Sequence, residues 1–335
     1  MNGISINSAL NIAGRGIRNI FGKKPLAISF EIIHSCNANC AHCDKEGFIE
    51  DEELAPPEKF VQIYDDLKPI FAQISGGEPL LREDVVDIVK KFRSRGKVLP
   101  VIVFVSNAAL LTFEKYKELH AAGVNQYSFS LDMPDERHDE NRQIPGLFSH
   151  LSELVPKITA EGNKNVTMIC AIRKENLPYL SEIADTAISK WNANMIFSSY
   201  TQLRTGDAVH SPQSPEELNL LEQQIDRLIE MKRQGAPIVN SESMFRGMIR
   251  FFKTNDIPNC RTGYRHLVVN PDGSLVPCAM HQVRFQTQKD LIENFTKTND
   301  CGACYVPLRA NTEKTLKQYW QDMVVAYAKQ QFSRA

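Results

Sequence analysis

Three cysteines, Cys36, Cys40 and Cys43, stand at the spacing C-x-x-x-C-x-x-C directly after the apolar segment 27–33. Three thiolates on one short loop can bind three irons of a cubane iron–sulfur cluster. Because no fourth cysteine lies nearby in the sequence, the remaining iron would be open to a ligand from outside the protein. A zinc site and buried structural cysteines are the alternatives that this spacing alone leaves open.

Four further cysteines lie in the last third of the chain: Cys260, Cys278, Cys301 and Cys304. Between the first two, Asn-Pro-Asp-Gly at 270–273 is flanked by apolar residues and predicts a β-hairpin that brings their thiols together. The C-x-x-C knuckle at 301–304 supplies the other two. Four thiolates suit either an iron–sulfur cluster or a structural zinc ion. The eighth cysteine, Cys170, lies in an apolar segment typical of a core strand.

The composition is that of a globular chain: 335 residues, 42% of them hydrophobic and 24% charged, are enough to bury a large core. A net charge of −1 gives no electrostatic reason to expect a nucleic-acid partner. The sequence contains neither an apolar run of membrane-spanning length nor a compact signal-peptide core. Clustered cysteines suit metal binding in a reducing compartment, so we expect a cytoplasmic location.

Residues 1–26 predict a basic amphipathic helix. Leu10, Ala13, Ile17 and Phe21 recur at helical spacing, and the segment contains basic but no acidic residues. One interpretation is a helix that packs under the main domain and shows its basic face to water. The other is docking of residues 1–24, either peripherally on the anionic inner face of a membrane or on the carrier of an apolar substrate.

From residue 27 to about 234 the sequence alternates apolar strand patterns with helical patterns. Strands are predicted at 27–33, 71–75, 99–106, 126–131, 165–172 and 194–200, and helices at 57–68, 84–95, 112–122, 146–162, 176–190 and 214–234. A helix after every strand implies parallel pairing through right-handed crossovers. Six such units are two fewer than a closed eight-fold barrel needs. The predicted fold class is therefore α/β, an open (β/α)6 partial TIM barrel with ligands at the carboxyl ends of its strands.

The second predicted strand ends in Ser-Gly-Gly-Glu-Pro at 75–79, where two glycines permit close approach of a ligand to the backbone. Together with the cysteine motif, this segment resembles the radical S-adenosylmethionine (SAM) superfamily. The resemblance implies a 4Fe-4S cluster on the three cysteines of the first motif, with the amino and carboxylate groups of SAM on its open iron. It further implies that the amino group of SAM meets the residues Gly76, Gly77, Glu78 and Pro79.

The resemblance extends to later strand ends. It implies that Asn107 lies near the methionine or ribose part of SAM. In the subfamily with cluster-bearing C-terminal extensions, Ser130 or Asp132 would bind ribose or carboxylate. Arg142 would pair with the SAM carboxylate, for which a guanidinium is the natural bidentate partner. His42 stands where the family usually has an aromatic residue in contact with adenine, and an imidazole can also stack.

The spacing from Cys260 through Gly273 to Cys278 resembles the opening of the SPASM/twitch extension of radical SAM enzymes. The cysteines of a second auxiliary cluster are absent, which favours the twitch form with one cluster over a full SPASM domain. Because these cysteines accompany the other radical SAM motifs, we expect an auxiliary 4Fe-4S cluster in preference to a structural zinc ion, which the spacing alone does not exclude. We therefore expect an N-terminal helix at 1–26, the partial barrel at 27–234, and an auxiliary domain at 235–335. That domain would contain the hairpin and a C-terminal helix beginning near Glu313, in which Trp320 packs.

These features predict an enzyme that cleaves SAM reductively and abstracts hydrogen from an unactivated carbon of a small molecule. A fully ligated auxiliary cluster points to an oxidation in a biosynthetic pathway, and the chemistry requires an external one-electron reductant such as flavodoxin or ferredoxin. Three alternatives stay open. They are modification of a lipid, isoprenoid or tetrapyrrole, a peptide-modifying (RiPP-type) maturase, and a non-catalytic iron–sulfur electron-transfer protein.

Overall fold

The core of the protein is one eight-stranded sheet, seen in a computed structural model that describes residues 6–45, 47–162, 165–315 and 317–319. Its strands are β1 (Ala27–Ile33), β2 (Phe71–Gly76), β3 (Val101–Ser106), β4 (Gln126–Ser130), β5 (Val166–Ile172), β6 (Asn194–Ser199), β7 (His266–Val269) and β8 (Leu275–Val276). The spatial order is β6-β5-β4-β3-β2-β1-β7-β8. Strands β1 to β6 pair in parallel, and β6 and β8 form separate edges, so the sheet stays open.

Helices connect the consecutive parallel strands β1 to β6, and further helices precede β1 and follow β6. They are α1 (Ile6–Phe21), α2 (Pro57–Leu67), α3 (Val85–Arg93), α4 (Phe113–Ala122), α5 (Arg137–Arg142), α6 (Leu147–Ala160), α7 (Leu180–Asp185), α8 (Pro215–Arg233), α9 (Glu242–Thr254), α10 (Gln288–Asn294) and α11 (Pro307–Thr312). The predicted open (β/α)6 partial barrel is confirmed. Helix α7 continues as a π-helix over Thr186–Lys190. Helices α5, α9, α10 and α11 were not among the predicted elements.

Strand β1 shows how the sheet divides the molecule. Phe30 is fully buried, and its ring centroid lies 6.2 Å from that of Phe60 in α2 and 4.8 Å from that of Phe92 in α3. Because side chains alternate along a strand, Ser29 and Glu31 face the opposite, inner side of the sheet. The outer face is therefore the apolar core under the helices, and the inner face carries polar residues.

The predicted hairpin is present as β7 and β8. Strand β7 pairs in parallel with β1, with His266 opposite Ala27, so the hairpin extends the sheet of the barrel. The domain boundary near residue 234 stays a prediction, since the sheet continues across it. Trp320 and most of the predicted C-terminal helix lie outside the described residues.

Helix α1 lies against the amino-terminal end of the barrel through polar contacts. Arg15 and Asn19 both donate to the carbonyl oxygen of Lys68, at 3.1 and 2.9 Å. Leu10 and Phe21, by contrast, are 65% and 81% exposed. The side chains expected to pack under the domain thus face solvent. In the described part of the chain, none of the helices has both the length and the apolarity needed to span a bilayer.

Candidate active site

The turn at Gly76-Gly77 joins the carboxyl ends of β1 and β2. Gly76 has a φ of +140°, and a Cβ there would lie 2.0 Å from the carbonyl oxygen of Ile33. A Cβ on Gly77 would lie 2.2 Å from the carbonyl oxygens of His34 and Ser35. The glycines are needed because two protein backbones touch here, a different close approach from the ligand contact that the sequence suggested.

The residues that follow β1 form the cysteine loop, residues 34–45. The carboxylate of Glu52 accepts hydrogen bonds from the backbone N–H (3.1 Å) and the hydroxyl (2.8 Å) of Ser35. The N–H of Cys36 donates to the carbonyl oxygen of Gly47 at 2.8 Å. These bonds fix the start of a loop that has no regular secondary structure to hold it.

The thiols of the cysteine loop are mostly shielded from solvent, with Cys36 6% and Cys40 4% exposed. Burial raises the pKa of Cys36 to about 11, and the nearby thiols of Cys40 and Cys43 act in the same direction. Burial also raises the pKa of Cys40, against the influence of Arg142. Binding a metal would deprotonate these thiols. Three soft sulfur donors on one loop fit three corners of an iron–sulfur cubane.

Each of the three thiols has a side-chain nitrogen at the distance of a hydrogen bond to sulfur. The pairs are Asn107 Nδ2 with Cys36 Sγ (4.0 Å), Arg142 Nη1 with Cys40 Sγ (3.7 Å) and Arg204 Nη1 with Cys43 Sγ (3.9 Å). Two of the three donors are guanidinium groups. They stabilise negative charge on the sulfurs.

Glu78 is completely buried below this loop. Its carboxylate accepts hydrogen bonds from the hydroxyl of Ser106 (2.7 Å) and the N–H groups of Leu80 (3.1 Å) and Asn107 (2.8 Å). Burial raises its pKa to about 7, although all three hydrogen bonds act in the opposite direction. Glu78 thus joins the ends of β2 and β3.

The structure places Asp132 and Arg142 in direct contact. Nε and Nη2 of Arg142 lie 2.9 and 2.6 Å from one carboxylate oxygen of the fully buried Asp132. The guanidinium holds the pKa of Asp132 well below its usual range despite burial. The predicted bidentate pairing of Arg142 with SAM would therefore compete with this ion pair.

His42 is 8% exposed, and its Nε2 lies 3.9 Å from the Asp132 carboxylate. Burial lowers its pKa well below the usual value. Its Nδ1 is buried without a hydrogen-bond partner in the described chain. A neutral imidazole with a free polar atom fits contact with a polar ligand such as the adenine expected here.

The remaining predicted site residues lie at the same end of the sheet. Asn107 donates from Nδ2 to the side-chain oxygen of Asn37 at 2.8 Å, which ties the end of β3 to the cysteine loop. Ser130 ends β4 and is 7% exposed. Pro79 begins a short 3₁₀ turn at Pro79–Leu81. All the predicted SAM-site residues thus lie near the carboxyl ends of β1 to β4.

The second set of cysteines also comes together. Burial raises the pKa of Cys278 to about 12, and the neighbouring thiols of Cys304 and Cys301 raise it further. Burial raises the pKa of Cys260, which is also close enough to Cys304 to be affected by its charge. Four sequence-distant thiols therefore share one region, as the hairpin and knuckle predicted.

Three residues beside these thiols were not predicted from the sequence. Arg309 is fully buried, donates to the carbonyl oxygen of Cys304 at 2.8 Å, and lies 3.9 Å from its Sγ. A hydrogen bond between His281 and Cys301 lowers the pKa of that thiol. Thr201, which follows β6, donates to the carbonyl oxygen of Ala303 at 2.6 Å. A basic residue five positions after the knuckle was the one available signal for Arg309.

Comparison with known proteins agrees with this geometry. Residues 30–187 match the family described as the Radical SAM superfamily. Over 318 residues the chain is 28% identical to an AdoMet-dependent heme synthase of Methanosarcina barkeri, which covers 84% of this chain and 88% of that protein. It is 24% identical over 271 residues to the subtilosin biosynthesis protein AlbA of Bacillus subtilis, covering 78% of this chain and 56% of AlbA.

Among solved structures, Streptococcus suis SuiB bound to S-adenosylmethionine is similar, with a TM-score of 0.63 at 16% sequence identity. The similarity covers 88% of this chain and 72% of SuiB. The fold and the site define an open-barrel enzyme that uses SAM. Residues 30–187 of this chain form a radical SAM superfamily domain.

Proposed function

We propose that this enzyme cleaves SAM to methionine and a 5′-deoxyadenosyl radical, which removes a hydrogen atom from an unactivated carbon of a small molecule in a biosynthetic oxidation. The observation that carries the proposal is the cysteine loop: two buried thiols and one partly exposed thiol, each beside an N–H donor, next to the Gly76-Gly77 turn. A 4Fe-4S cluster bound there supplies the electron that cleaves SAM, taken from an external reductant such as flavodoxin or ferredoxin.

The residues of the chain bind and orient the reactants. In this proposal Glu78 and the glycine turn receive the amino group of SAM, and Asn107 and Ser130 contact its methionine and ribose parts. His42 contacts the adenine. Arg142, held by Asp132, keeps a positive charge beside the site. Such positioning supplies much of the rate of a two-reactant step.

We further propose that Cys260, Cys278, Cys301 and Cys304 hold an auxiliary 4Fe-4S cluster that accepts the electron of the substrate radical. Four sulfurs on one zinc ion would lie about 4 Å apart. Among the described residues, no three of the four cysteine sulfurs lie within 4.8 Å of one another. The thiol of Cys260 lies that close to ligand atoms of His266 and Glu313 instead. The wider spacing of a cubane suits these thiols better.

His266 and Glu313 already have protein partners, which supports the thiols as the ligand set. Nδ1 of His266 lies 3.1 Å from the hydroxyl of Thr312. The Glu313 carboxylate accepts hydrogen bonds from Nε of Arg309, at 3.0 Å, and from the backbone N–H of Arg261.

A tetrapyrrole is the second candidate substrate, because the heme synthase of M. barkeri matches this chain over most of the length of both proteins. Peptide modification is the third, suggested by the similarity to AlbA, a protein of bacteriocin biosynthesis.

We propose a cytoplasmic enzyme that contacts an anionic membrane peripherally through α1. This helix exposes apolar side chains next to basic ones, the combination that binds such a surface. They are Leu10, Ile17 and Phe21 beside Arg18 and Lys23, which follows the helix.

The test is the formation of 5′-deoxyadenosine from SAM by anaerobically reconstituted protein with dithionite. Wild-type protein should form it. The variant with Cys36, Cys40 and Cys43 all replaced by alanine should bind roughly four fewer irons per chain and form none. SAM cleavage by the triple variant at the wild-type rate would refute the proposal, and it would leave an iron–sulfur protein with a different role.

A further inference from the structure

The inner face of the barrel has apolar side chains that do not belong to the core. On β3 and β5, Ile102, Phe104 and Met168 point outward and are completely buried in the core. The alternate residues Val103 and Ile169 are partly exposed and have no place in the core cluster of the described residues. Ile196 on β6 behaves in the same way. On β3, β5 and β6 the inner face is therefore apolar and partly exposed, and we call the space that the inner face lines the lumen.

The opposite wall of the lumen is polar but uncharged. The hydroxyls of Ser29 on β1 and Ser75 on β2 lie 2.7 Å apart. Gln73 donates from Nε2 to Ser29 at 2.9 Å. Hydroxyl and amide groups at such positions can donate to or accept from a ligand oxygen. They can recognise a hydroxyl or carbonyl group.

The strands that line the lumen contain few ionic residues. Strands β1 to β6, all of whose residues are described, contain no lysine, arginine or aspartate, and one glutamate, Glu31. An oxygen of its carboxylate lies 2.9 Å from Nε2 of His34 and 3.6 Å from Nζ of Lys45. Burial would raise the pKa of Glu31, but these two neighbours and Arg204 lower it, so its charge is already compensated. A ligand carboxylate or phosphate inside the lumen would find no cation on these strands.

The entrance has the same apolar character. Phe48, Leu110 and Val209 are 73%, 45% and 48% exposed. They lie on the loops that follow β1, β3 and β6, so all three are at the carboxyl end of the sheet. Large apolar side chains exposed around an opening mark a binding surface.

We infer that the substrate is a neutral, largely apolar molecule with hydroxyl or carbonyl groups, which enters past this rim and lies against Val103, Ile169 and Ile196. This inference rests on the proposed function and narrows its substrate class. Burying an unpaired charge against these apolar side chains is strongly unfavourable. The lumen therefore disfavours polyanionic substrates, including nucleotides and tetrapyrroles that carry several carboxylates.

The test uses the full chain, the neutral dye Nile red as the bound probe, and two competitors of equal length, dodecanol and dodecanoate. Dodecanol should displace the dye at a concentration at least tenfold lower than dodecanoate. Val103→Arg should place a cation in the lumen. It should weaken the binding of dodecanol at least tenfold and make dodecanoate the better competitor. The matched control Val239→Arg, at a 46% exposed position outside the lumen, should behave as wild type.

Equal displacement by both competitors in wild type, or an unchanged preference in a folded Val103→Arg protein, would overturn the inference. If a melting curve shows that Val103→Arg does not fold, Val103→Asn is used in its place. This variant should weaken the binding of both the dye and dodecanol. The outcome does not depend on SAM cleavage, which is measured on the same samples. Loss of 5′-deoxyadenosine formation in wild type with the binding pattern intact would refute the proposed function alone.

Discussion

Nη1 of Arg204 lies 3.9 Å from Sγ of Cys43, although 161 residues separate them in sequence. Three positions earlier, Thr201 bonds to the backbone of Ala303, inside the C-x-x-C knuckle. The loop after β6 therefore contacts both cysteine sites. It links the two sites directly.

We predict that Arg204→Met lowers the reduction potential of the cluster on the cysteine loop. The reduced cluster carries one more negative charge, and a guanidinium beside a ligand sulfur stabilises that charge. A redox titration of the reconstituted protein, followed by electron paramagnetic resonance, measures the potential. Arg250→Met, at an exposed position of α9, is the control and should keep the wild-type value. Equal potentials in all three proteins would show that Arg204 only braces the loop.

The fully buried His138 predicts an acid-dependent loss of stability. Its Nδ1 lies 3.2 Å from the N–H of Asp132, and burial lowers its pKa to about 4. The unfolded state takes up a proton below a pH of about 6.5, whereas the folded state does not until about pH 4. Stability should therefore fall as the pH drops through this window, by about 2 kcal/mol at pH 5.

Urea unfolding of metal-free protein at pH 7 and pH 5 measures this loss. His138→Asn keeps an acceptor for the Asp132 N–H but cannot be protonated, so the variant should lose about 2 kcal/mol less than wild type between the two pH values. Other acid-sensitive groups affect both proteins equally, so the difference between wild type and His138→Asn isolates the effect of His138. The same loss in both proteins would assign the acid sensitivity elsewhere.

The barrel could be predicted from the sequence because strands and helices are indicated by hydrophobic patterns within short segments. The apolar run around Phe104 has the length and β-branched content of a strand buried on its outer face, and the helix after it has a regular period. The cysteine and glycine motifs are also local, so their positions at strand ends followed from the alternation of strands and helices. Short α5 and α11 were missed because six residues are too few to show a helical period.

The sequence could not predict contacts between distant residues that no spacing rule connects. Arg204 and Cys43 are one example, and the parallel pairing of β7 with β1 is another. The sequence left the role of α1 open for a related reason. A helical period shows that Leu10 and Phe21 share a face, but not whether that face packs or stays exposed. In the structure the polar Asn19 is buried in their place.

We predict that α1 binds anionic membranes through this exposed face. Replacing Leu10, Ile17 and Phe21 together by glutamine should abolish co-sedimentation with phosphatidylglycerol-containing vesicles, because each such side chain contributes about 1.5–3 kcal/mol when fully buried. Wild-type binding should weaken with salt, since attraction to the lipid is worth about 1 kcal/mol per basic residue. The control replaces Phe48, Leu110 and Val209 by glutamine at the opposite end and should sediment as wild type. Equal sedimentation of all three proteins would remove α1 from the proposal.

The final prediction concerns the auxiliary site. Replacing Cys301 and Cys304 by alanine removes half of its thiols, so reconstituted iron should fall from roughly eight to roughly four per chain. SAM cleavage should continue at the separate cysteine loop. Product formation should fall much further, because the substrate radical loses its electron acceptor. Cys170→Ala, which removes a fully buried thiol from the core, controls for general cysteine loss and should leave iron content unchanged.

Folding is the competing explanation, since a metal that joins the hairpin to the knuckle also stabilises this part of the chain. A melting curve and metal analysis of the same preparations separate the two effects. A double-cysteine variant that melts like wild type but makes no product supports electron transfer. Zinc in place of a second cluster in anaerobically purified wild-type protein would contradict it, because zinc has no redox chemistry and could serve these thiols only as a structural ion.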